Sequence, residues 1–377
     1  MTEVLIVGAG PTGLTLACAL ARRGVAVRVI ERSAVHHHES RGKTLTEGSL
    51  EIFAEFGIAD RLRAEGTSPQ INRKYFNGEH VNDTPSPTPA VFIAQWRTEE
   101  LLRECLADHG VAVEPGSALA DFEQDEHGVT ATLADGRRIG ARYLVGCDGG
   151  HSTVRRRLGL AFDGKSERST SMVCGDVEAD GLDRDVWHQW FTPEGALLLW
   201  PIPGTRAFQL QASPETDEHG APLAPSLEGF QRLFDRFARV PGIRLRNASW
   251  LSTWRVGVRM VDRMRVGRVF LAGDAAHVHP IAGGLGMNTG IADAHALARV
   301  LTSEGADEAR LEAYQAERLP VAAWTLKVTS DRLAHVMAAT RQPGVGTEAG
   351  AVLDPARSGG NRPLGAQPTE AQAAGGR

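Results

Sequence analysis

Val4 to Val7 is a short apolar run that leads into a glycine-rich turn, after which apolar residues from Thr12 to Arg23 recur at helical spacing. Gly24 stops that helix and Val25 to Ile30 forms a second apolar run, so the chain opens with a β-α-β unit. Helical spacing returns over Thr44 to Glu55, where Leu45, Ile52 and Phe53 sit among polar residues, and over Thr98 to His109, with Thr98 as the expected N-cap. Pro85, Pro87 and Pro89 between them predict an irregular excursion. Alternation from Ala120 to Val145, broken by the turn Ala134-Asp135-Gly136, predicts a β-meander whose last member, Ala141 to Val145, is apolar enough to join the main sheet.

From Ser166 to Trp254 the pattern changes to strand-like pieces at Trp187 to Phe191, Ala196 to Ile202 and Ala207 to Gln211, with one helix, Leu227 to Phe237. This stretch holds five of the seven tryptophans and predicts an inserted sheet domain. Arg268 to Ala272 resumes the buried-strand pattern, a helix follows over Met287 to Leu301, and Glu308 to Ala339 is helical, with Pro320 expected to kink or break it. The fold class expected is α/β: a discontinuous Rossmann-like, dinucleotide-type domain (1–70, 92–165 and 256–305), an inserted mainly β domain (71–91 and 166–255) and C-terminal helices (306–340). Residues 341–377 hold eight glycines, four prolines and no aromatic residue, the composition of a disordered tail.

Composition narrows the class. The 377 residues are 42% hydrophobic and 23% charged, enough to bury a sizeable core. The 41 basic and 46 acidic residues leave a net charge of −5, which argues against a binder of nucleic acid. The start Met1-Thr2-Glu3 leads straight into a strand, and no apolar run approaches a membrane span, so neither a secretory nor a membrane protein is expected. Cys18, Cys105, Cys147 and Cys174 are widely spaced, which signals neither a disulfide framework nor a zinc site and fits a reducing cytoplasm.

Three motifs carry chemistry. Gly8-Ala9-Gly10-Pro11-Thr12-Gly13 follows a strand and opens a helix: Gly8 allows the tight turn, Gly10 lets the backbone approach a pyrophosphate, and Gly13 lets helix and strand pack closely. Glu31 at the end of the second strand is placed to accept hydrogen bonds from ribose hydroxyls. Val145 to Arg155 contains Asp148-Gly149, and Gly267 to Gly290 contains Gly273-Asp274, His277, Pro280 and Gly286-Met287-Asn288. Each of these places an Asp-Gly or Gly-Asp step at the C-terminal end of a buried strand, the edge where open α/β sheets bind ligands.

In this order the motifs resemble a class A FAD-dependent aromatic monooxygenase of the para-hydroxybenzoate hydroxylase fold, in the polyketide and phenol hydroxylase branch, over residues 1 to 335. The resemblance implies FAD as cofactor, NAD(P)H as co-substrate, and hydroxylation of a phenolic or polyketide aromatic with O2 through a flavin C4a-hydroperoxide. It implies cofactor contacts at Gly8, Gly10, Pro11, Thr12, Gly13, Glu31, Arg32, Arg41, Gln95, Asp148, Gly149, Arg155, Gly273, Asp274, Pro280, Gly286, Met287 and Asn288, with Arg41 and Pro280 also at catalytic positions. The helix beginning at Gly286-Met287-Asn288 offers free N–H groups to the flavin N1–C2=O edge. Two departures fall near the expected flavin–substrate interface: Pro280 is followed by Ile281 where a second proline is common, and Leu285 stands where glutamine is frequent. The thioredoxin-like C-terminal domain of longer relatives is also missing from the sequence.

The remaining candidates have plainer readings. His36-His37-His38 reads as a solvated turn, and His277 and His279, with Asp293 and His295 on the following helix, as packing, so no metal is implied. Trp187, Trp190 and Trp200 fit either an aromatic pocket or core. The alternatives are a non-catalytic flavoprotein that binds an aromatic ligand, and a flavin-dependent halogenase, whose Trp-x-Trp-x-Ile-Pro motif is not matched by Leu198 to Pro203. Partners expected are the small aromatic substrate, O2 and NAD(P)H, without nucleic acid or membrane; the oligomeric state is open.

Overall fold

The computed structural model describes residues 2–36, 38, 42–68, 71–85, 90–279, 284–302 and 307–339. The opening unit forms as β1 (Thr2–Val7), α1 (Pro11–Ala21) and β2 (Val27–Ile30), then β3 (Thr44–Leu45), α2 (Glu47–Glu55) and α3 (Ala59–Glu65). Next come β4 (Ile71–Phe76), β5 (Glu79–Pro85), β6 (Val91–Phe92), α4 (Gln95–Asp108), β7 (Val113–Glu114), β8 (Leu119–Gln124), β9 (Val129–Leu133), β10 (Arg138–Gly146) and α5 (Thr153–Arg157). A long run of strands follows: β11 (Asp163–Ala179), β12 (Val186–Thr192), β13 (Gly195–Pro201) and β14 (Ala207–Ala212), then α6 (Leu227–Phe237) and β15 (Leu245–Met260). The chain continues through β16 (Arg265–Val266), β17 (Val269–Leu271), a 3-10 turn at Gly273–Ala275, β18 (His277–Val278), α7 (Leu285–Leu301) and α8 (Glu308–Ala339).

The first large sheet runs β16-β17-β10-β1-β2-β7, with β8 and β9 attached through β10. Strands β2, β1, β10 and β17 are mutually parallel, so their C-terminal ends lie side by side along one edge. Their apolar residues, Val4 to Val7, Val29, Ile30, Leu144, Val145 and Val269 to Leu271, are buried, as expected for a parallel sheet covered on both faces. Helix α1 packs against α4 and α7 beside it.

The second sheet runs β18-β15-β11-β14-β13-β12-β4-β5. Because side chains alternate along a strand, this sheet has two distinct faces. Val173, Val177, Leu197, Leu199, Phe208, Leu210 and Ala212 turn toward α6 and form a core with Phe230, Phe234 and Phe237. Asp176, Trp200, Gln209 and Gln211 occupy intervening positions, and all four are buried.

Several elements differ from the sequence expectation. Thr44 and Leu45 form a short strand paired with Phe92 and Val91, so that helix starts only at Glu47. Helix α4 starts at Gln95, and Thr98 lies within it, fully buried, its amide donating to Ala94 O instead of capping. The proline-rich excursion begins as a hairpin of β4 and β5 in which Pro85 pairs opposite Ile71 on the sheet's edge strand, where a missing N–H costs no ladder bond. Pro320 sits inside α8, which continues through it. Pro87, Pro89 and residues 341–377 lie outside the described residues.

Candidate cofactor site

Four neighbouring strand ends deliver the motifs to one edge. Glu31 follows β2, Gly8 to Gly13 follow β1, Cys147 and Asp148 follow β10, and Gly273-Asp274 follow β17. The glycines are fixed by their neighbours. Gly8 has φ +107°, and a Cβ there would lie 2.4 Å from Cys147 O. A Cβ on Gly13 would lie 2.0 Å from Gly8 O, the close helix–strand contact predicted for it. At Gly10 an added Cβ meets nothing within 4 Å, so this backbone borders open space. Gly273, at φ +61°, and Gly290 both close on Thr12, where a Cβ on either would come within 2.5 Å of the hydroxyl.

Two helices begin at this edge without a competing anion. Helix α1 follows Gly10 with Pro11 in its first turn, has no capping side chain and no acidic residue in that turn. Helix α7 follows Gly284 at φ +62° and likewise lacks both. Their first N–H groups and positive dipole ends are therefore available to phosphate or another electron-rich group. Beside α1, the Glu31 carboxylate accepts the Ala9 N–H on one oxygen and the Ser33 N–H on the other, each at 2.9 Å. Each carboxylate oxygen has further acceptor capacity. Arg32 is exposed next to it.

Other motif side chains build the loops. Asp148 accepts the Ser152 hydroxyl and the Thr153 N–H, the latter at 2.6 Å, and so holds the start of α5, which Ser152 caps. Arg155 is buried and donates to Ala275 O at 2.9 Å and to Gly150 O at 2.7 Å, tying the Asp-Gly loop to the Gly-Asp loop, with its guanidinium 3.7 Å from the centre of the Phe162 ring. Asp274 is exposed at the tip of its turn. Asn288 is fully buried: its carbonyl oxygen accepts the Thr46 N–H and the Ser49 hydroxyl, and its amide donates to Thr44 O and Gly284 O. It clamps the 44–49 segment to α7. Gln95 accepts the Gly42 N–H at 2.8 Å, and a Cβ on Gly42 would press against both Met287 and Gln95. Arg41 and Pro280 lie outside the described residues.

Under the Gly-Asp turn lies a buried ionic cluster. Asp293 accepts from the Gly273 N–H at 3.1 Å, from His277 Nε2 at 2.6 Å and from Arg318 Nε at 2.8 Å, while His277 Nδ1 lies 2.9 Å from His279 Nε2. Burial alone would raise the Asp293 carboxyl, but His277 and Arg318 hold it well below the usual carboxylate range. Burial, helped by His277, pushes His279 down to about 3, so this imidazole is neutral. His295 does not join; it pairs with Glu55 at 3.0 Å. His38 stacks on Trp96, and among the described residues no three His, Cys, Asp or Glu side chains are grouped to hold a metal.

A second buried polar cluster was not foreseen. Lys43 donates to the Gln209 side-chain oxygen, and its ammonium lies 3.3 Å from the centre of the Trp200 ring. Gln211 donates to the same Gln209 oxygen at 3.0 Å, and Trp200 Nε1 is buried without a hydrogen-bond partner. Burial pushes the Lys43 ammonium well below its ordinary value, against the opposing pull of Cys174 and Asp176. Trp187 stands edge-on to Trp200, whereas Trp190 is core, stacked on Tyr75 and edge-on to Phe234. A lone lysine in a loop has no periodic signature; only its place beside the 41–42 segment could have drawn attention to it.

A flavin-dependent monooxygenase of Mycobacteroides abscessus is 41% identical over 353 residues, covering 87% of this chain and 73% of that protein. The rifampicin monooxygenase of Streptomyces venezuelae is 35% identical over 356 residues, covering 91% of this chain and 73% of that protein. Among solved structures, the flavin-dependent monooxygenase PieE, in complex with FAD and substrate, superposes with a TM-score of 0.80 at 26% identity, covering 96% of this chain and 69% of that one. The proteins compared above are monooxygenases, and the FAD binding domain family matches residues 1–329 of this chain, which belongs to that family.

Proposed function

We propose that this protein is an FAD-dependent monooxygenase that uses NAD(P)H and O2 to hydroxylate a phenolic or polyketide aromatic. The observation that carries this reading is the convergence, on adjacent strand ends, of two uncapped helix starts, an open glycine backbone at Gly10 and the Glu31 carboxylate. This donor-rich edge with one acceptor at its end fits a dinucleotide: Glu31 for the ribose, Gly10 and the α1 N-terminus for the pyrophosphate, Asp274 for the ribityl hydroxyls. The α7 start and the Gly42–Gln95–Met287 wall are assigned to the ring, together with Arg41 and Pro280. Bound FAD supplies the redox chemistry, accepting hydride from NAD(P)H and activating O2.

The chain's own residues bind, orient and shield. Backbone N–H groups at the start of α7 favour electron density on the ring edge they face. The inner face of the second sheet is assigned to the aromatic substrate, where Trp187 and Trp200 exclude water from it. The four cysteines are buried and form no disulfide, which supports a cytoplasmic setting, and no helix among the described residues is long and apolar enough to cross a membrane.

The test is turnover under isotope-labelled O2 with a panel of aromatic polyketides and phenols. The expected result is yellow protein that releases FAD, oxidises NAD(P)H faster when the aromatic is present, and places one labelled atom in the product. Label arriving only from water, or flavin bound without aromatic-stimulated oxidation, would reject monooxygenation; the latter result would favour a flavoprotein that holds its ligand without turnover.

A further inference from the structure

The four cysteines are widely spaced in sequence, but folding brings two of them together. Cys18 lies on α1, the helix that follows the glycine turn, and Cys105 lies on α4, which packs against it. The Cys18 Sγ sits 3.3 Å from Leu102 O, one helical turn before Cys105. A helical side chain covers the turn N-terminal to its own Cα, so the Cys105 thiol lies over the same spot. The two thiols hydrogen-bond to each other, and Cys105 Sγ also lies 3.8 Å from Phe56 O. Both are free thiols in the structure.

The pair is unequal in access and in charge. Cys18 is fully enclosed, whereas Cys105, 6% exposed, lines a pocket of about 490 Å³ together with Phe56, Arg61, Glu104 and Asp108. Arg61, Glu104 and Asp108 are exposed, so this pocket opens to solvent. The Arg22 guanidinium, one turn after Cys18 on α1, lies 5.8 Å from the centre of the Phe56 ring. The hydrogen bond with Cys18 lowers the Cys105 thiol below its ordinary value, with Arg22 acting in the same sense, against burial and Asp108. The same bond, together with burial, raises Cys18. Electron-rich sulfur within reach of a small molecule is therefore at Cys105, with a second thiol held beside it. Cys147 and Cys174 are buried and do not line this pocket, and burial pushes Cys147 up.

We propose that Cys105 and Cys18 form a peroxide-reactive dithiol, in which Cys105 attacks, Cys18 resolves, and the product is a disulfide between α1 and α4. Hydrogen peroxide enters through the pocket. Cys105 gives up its proton and attacks one peroxide oxygen: an S–O bond forms, the O–O bond breaks, and the departing hydroxide takes the proton to become water. Cys18 then attacks the sulfenic sulfur, an S–S bond forms, and the hydroxyl leaves with the Cys18 proton as a second water. The two sulfurs lose one electron each and the peroxide gains both. The bridge ties the helix assigned to the pyrophosphate to the helix whose first residue, Gln95, holds Gly42. The natural source of the oxidant rests on the monooxygenase reading, since NAD(P)H and O2 yield hydrogen peroxide when no aromatic takes up the oxygen; the dithiol itself does not.

The test treats the FAD-loaded protein, reduced and desalted, with added hydrogen peroxide, so that it does not depend on turnover. Peptide mass mapping should find a Cys18–Cys105 disulfide, and the thiols titrated after denaturation should fall from four to two and return with dithiothreitol. Cys18→Ser should stop at the Cys105 sulfenic acid, which dimedone labels; Cys18→Ala serves if that variant does not fold. Cys105→Ser should consume thiols roughly tenfold more slowly than wild type, because the enclosed, raised Cys18 reacts poorly alone. Wild-type protein that keeps all its thiols would overturn the dithiol. So would oxidation of Cys147 or Cys174 ahead of Cys105, or a Cys105→Ser variant that reacts at the wild-type rate. The broader reading fails separately: a disulfide formed by added peroxide in a protein whose NAD(P)H oxidation no aromatic stimulates supports the dithiol and counts against monooxygenation. Stimulated NAD(P)H oxidation in a protein that peroxide leaves with four thiols sinks the dithiol alone.

Discussion

Two buried polar clusters flank the cofactor edge, and they differ in what they join. Around Asp293 a carboxylate lies between Arg318 and His277 and accepts the Gly273 N–H, while Arg318 Nη1 and Nη2 are buried without a hydrogen-bond partner. Around Lys43 the ammonium lies over the Trp200 ring and shares the Gln209 oxygen with Gln211, with the buried Asp176 opposite Gln209 on the neighbouring strand. The first arrangement holds two motif elements together, because Asp293 belongs to α7 and Gly273 to the turn after β17. The second joins the segment before β3 to the second sheet, because Lys43 precedes β3 and Gln209 belongs to β14. A buried polar group is therefore read by its partners and not by its burial.

The largest effect expected from breaking this contrast is at Asp293→Asn, which leaves Arg318 buried without its counter-charge and should cost about 3–5 kcal/mol of stability. Urea unfolding of the variant would show it; a midpoint close to wild type would mean that Arg318 does not depend on this counter-charge. The next effect is on pH dependence. His279 titrates near 3 when folded and near its ordinary 6.5 when unfolded, so the unfolded chain binds the proton first. Its contribution is fully present above about pH 6.5 and is lost as pH falls toward about 3, at up to roughly 1.4 kcal/mol per pH unit. His188 and His295, also lowered by burial, act with the same sign, so the measurement is the difference between wild type and His279→Gln. The acid limb of that variant should be shallower. The smallest effect is at Lys43→Met, which removes a group whose charge burial disfavours and should leave stability unchanged or raise it by up to about 1 kcal/mol. A Lys43→Met variant that melts lower than wild type would place Lys43 with Asp293, as scaffold.

The sequence made the cofactor edge legible because its demands are backbone demands. Gly8 and Gly13 sit where a Cβ would strike Cys147 O or Gly8 O, and such positions are visible as spaced glycines. Three strands of the second sheet, β12 to β14, and the helix Leu227–Phe237 were legible from the pattern of the chain, whereas its two longest strands, β11 and β15, were not foreseen. Side-chain roles were less so. Asn288, expected at the cofactor, spends its side chain on Thr44, Thr46, Ser49 and Gly284, and Asp148 spends its own on the start of α5. Thr98 resembles an N-cap locally, but the Gly42–Gln95 backbone contact starts the helix a turn earlier. Lys43 was invisible because its partners, Trp200 and Gln209, are far off in sequence and meet it only through the alternation of strands whose register was unknown.

Strand β15 crosses the whole of this picture. Along most of its length it pairs with β11, and at its end Arg259 and Met260 pair with Val278 and His277, after which Val261 donates to Ala276 O. Strand pairing, with register shifts between Ser166 and Ser171 and between Asp176 and Glu178, thus runs along β15 into the Gly-Asp motif. A molecule that settles on the second sheet and steadies β15 should therefore slow deuterium uptake at His277 and Val278, which pair with the end of that strand.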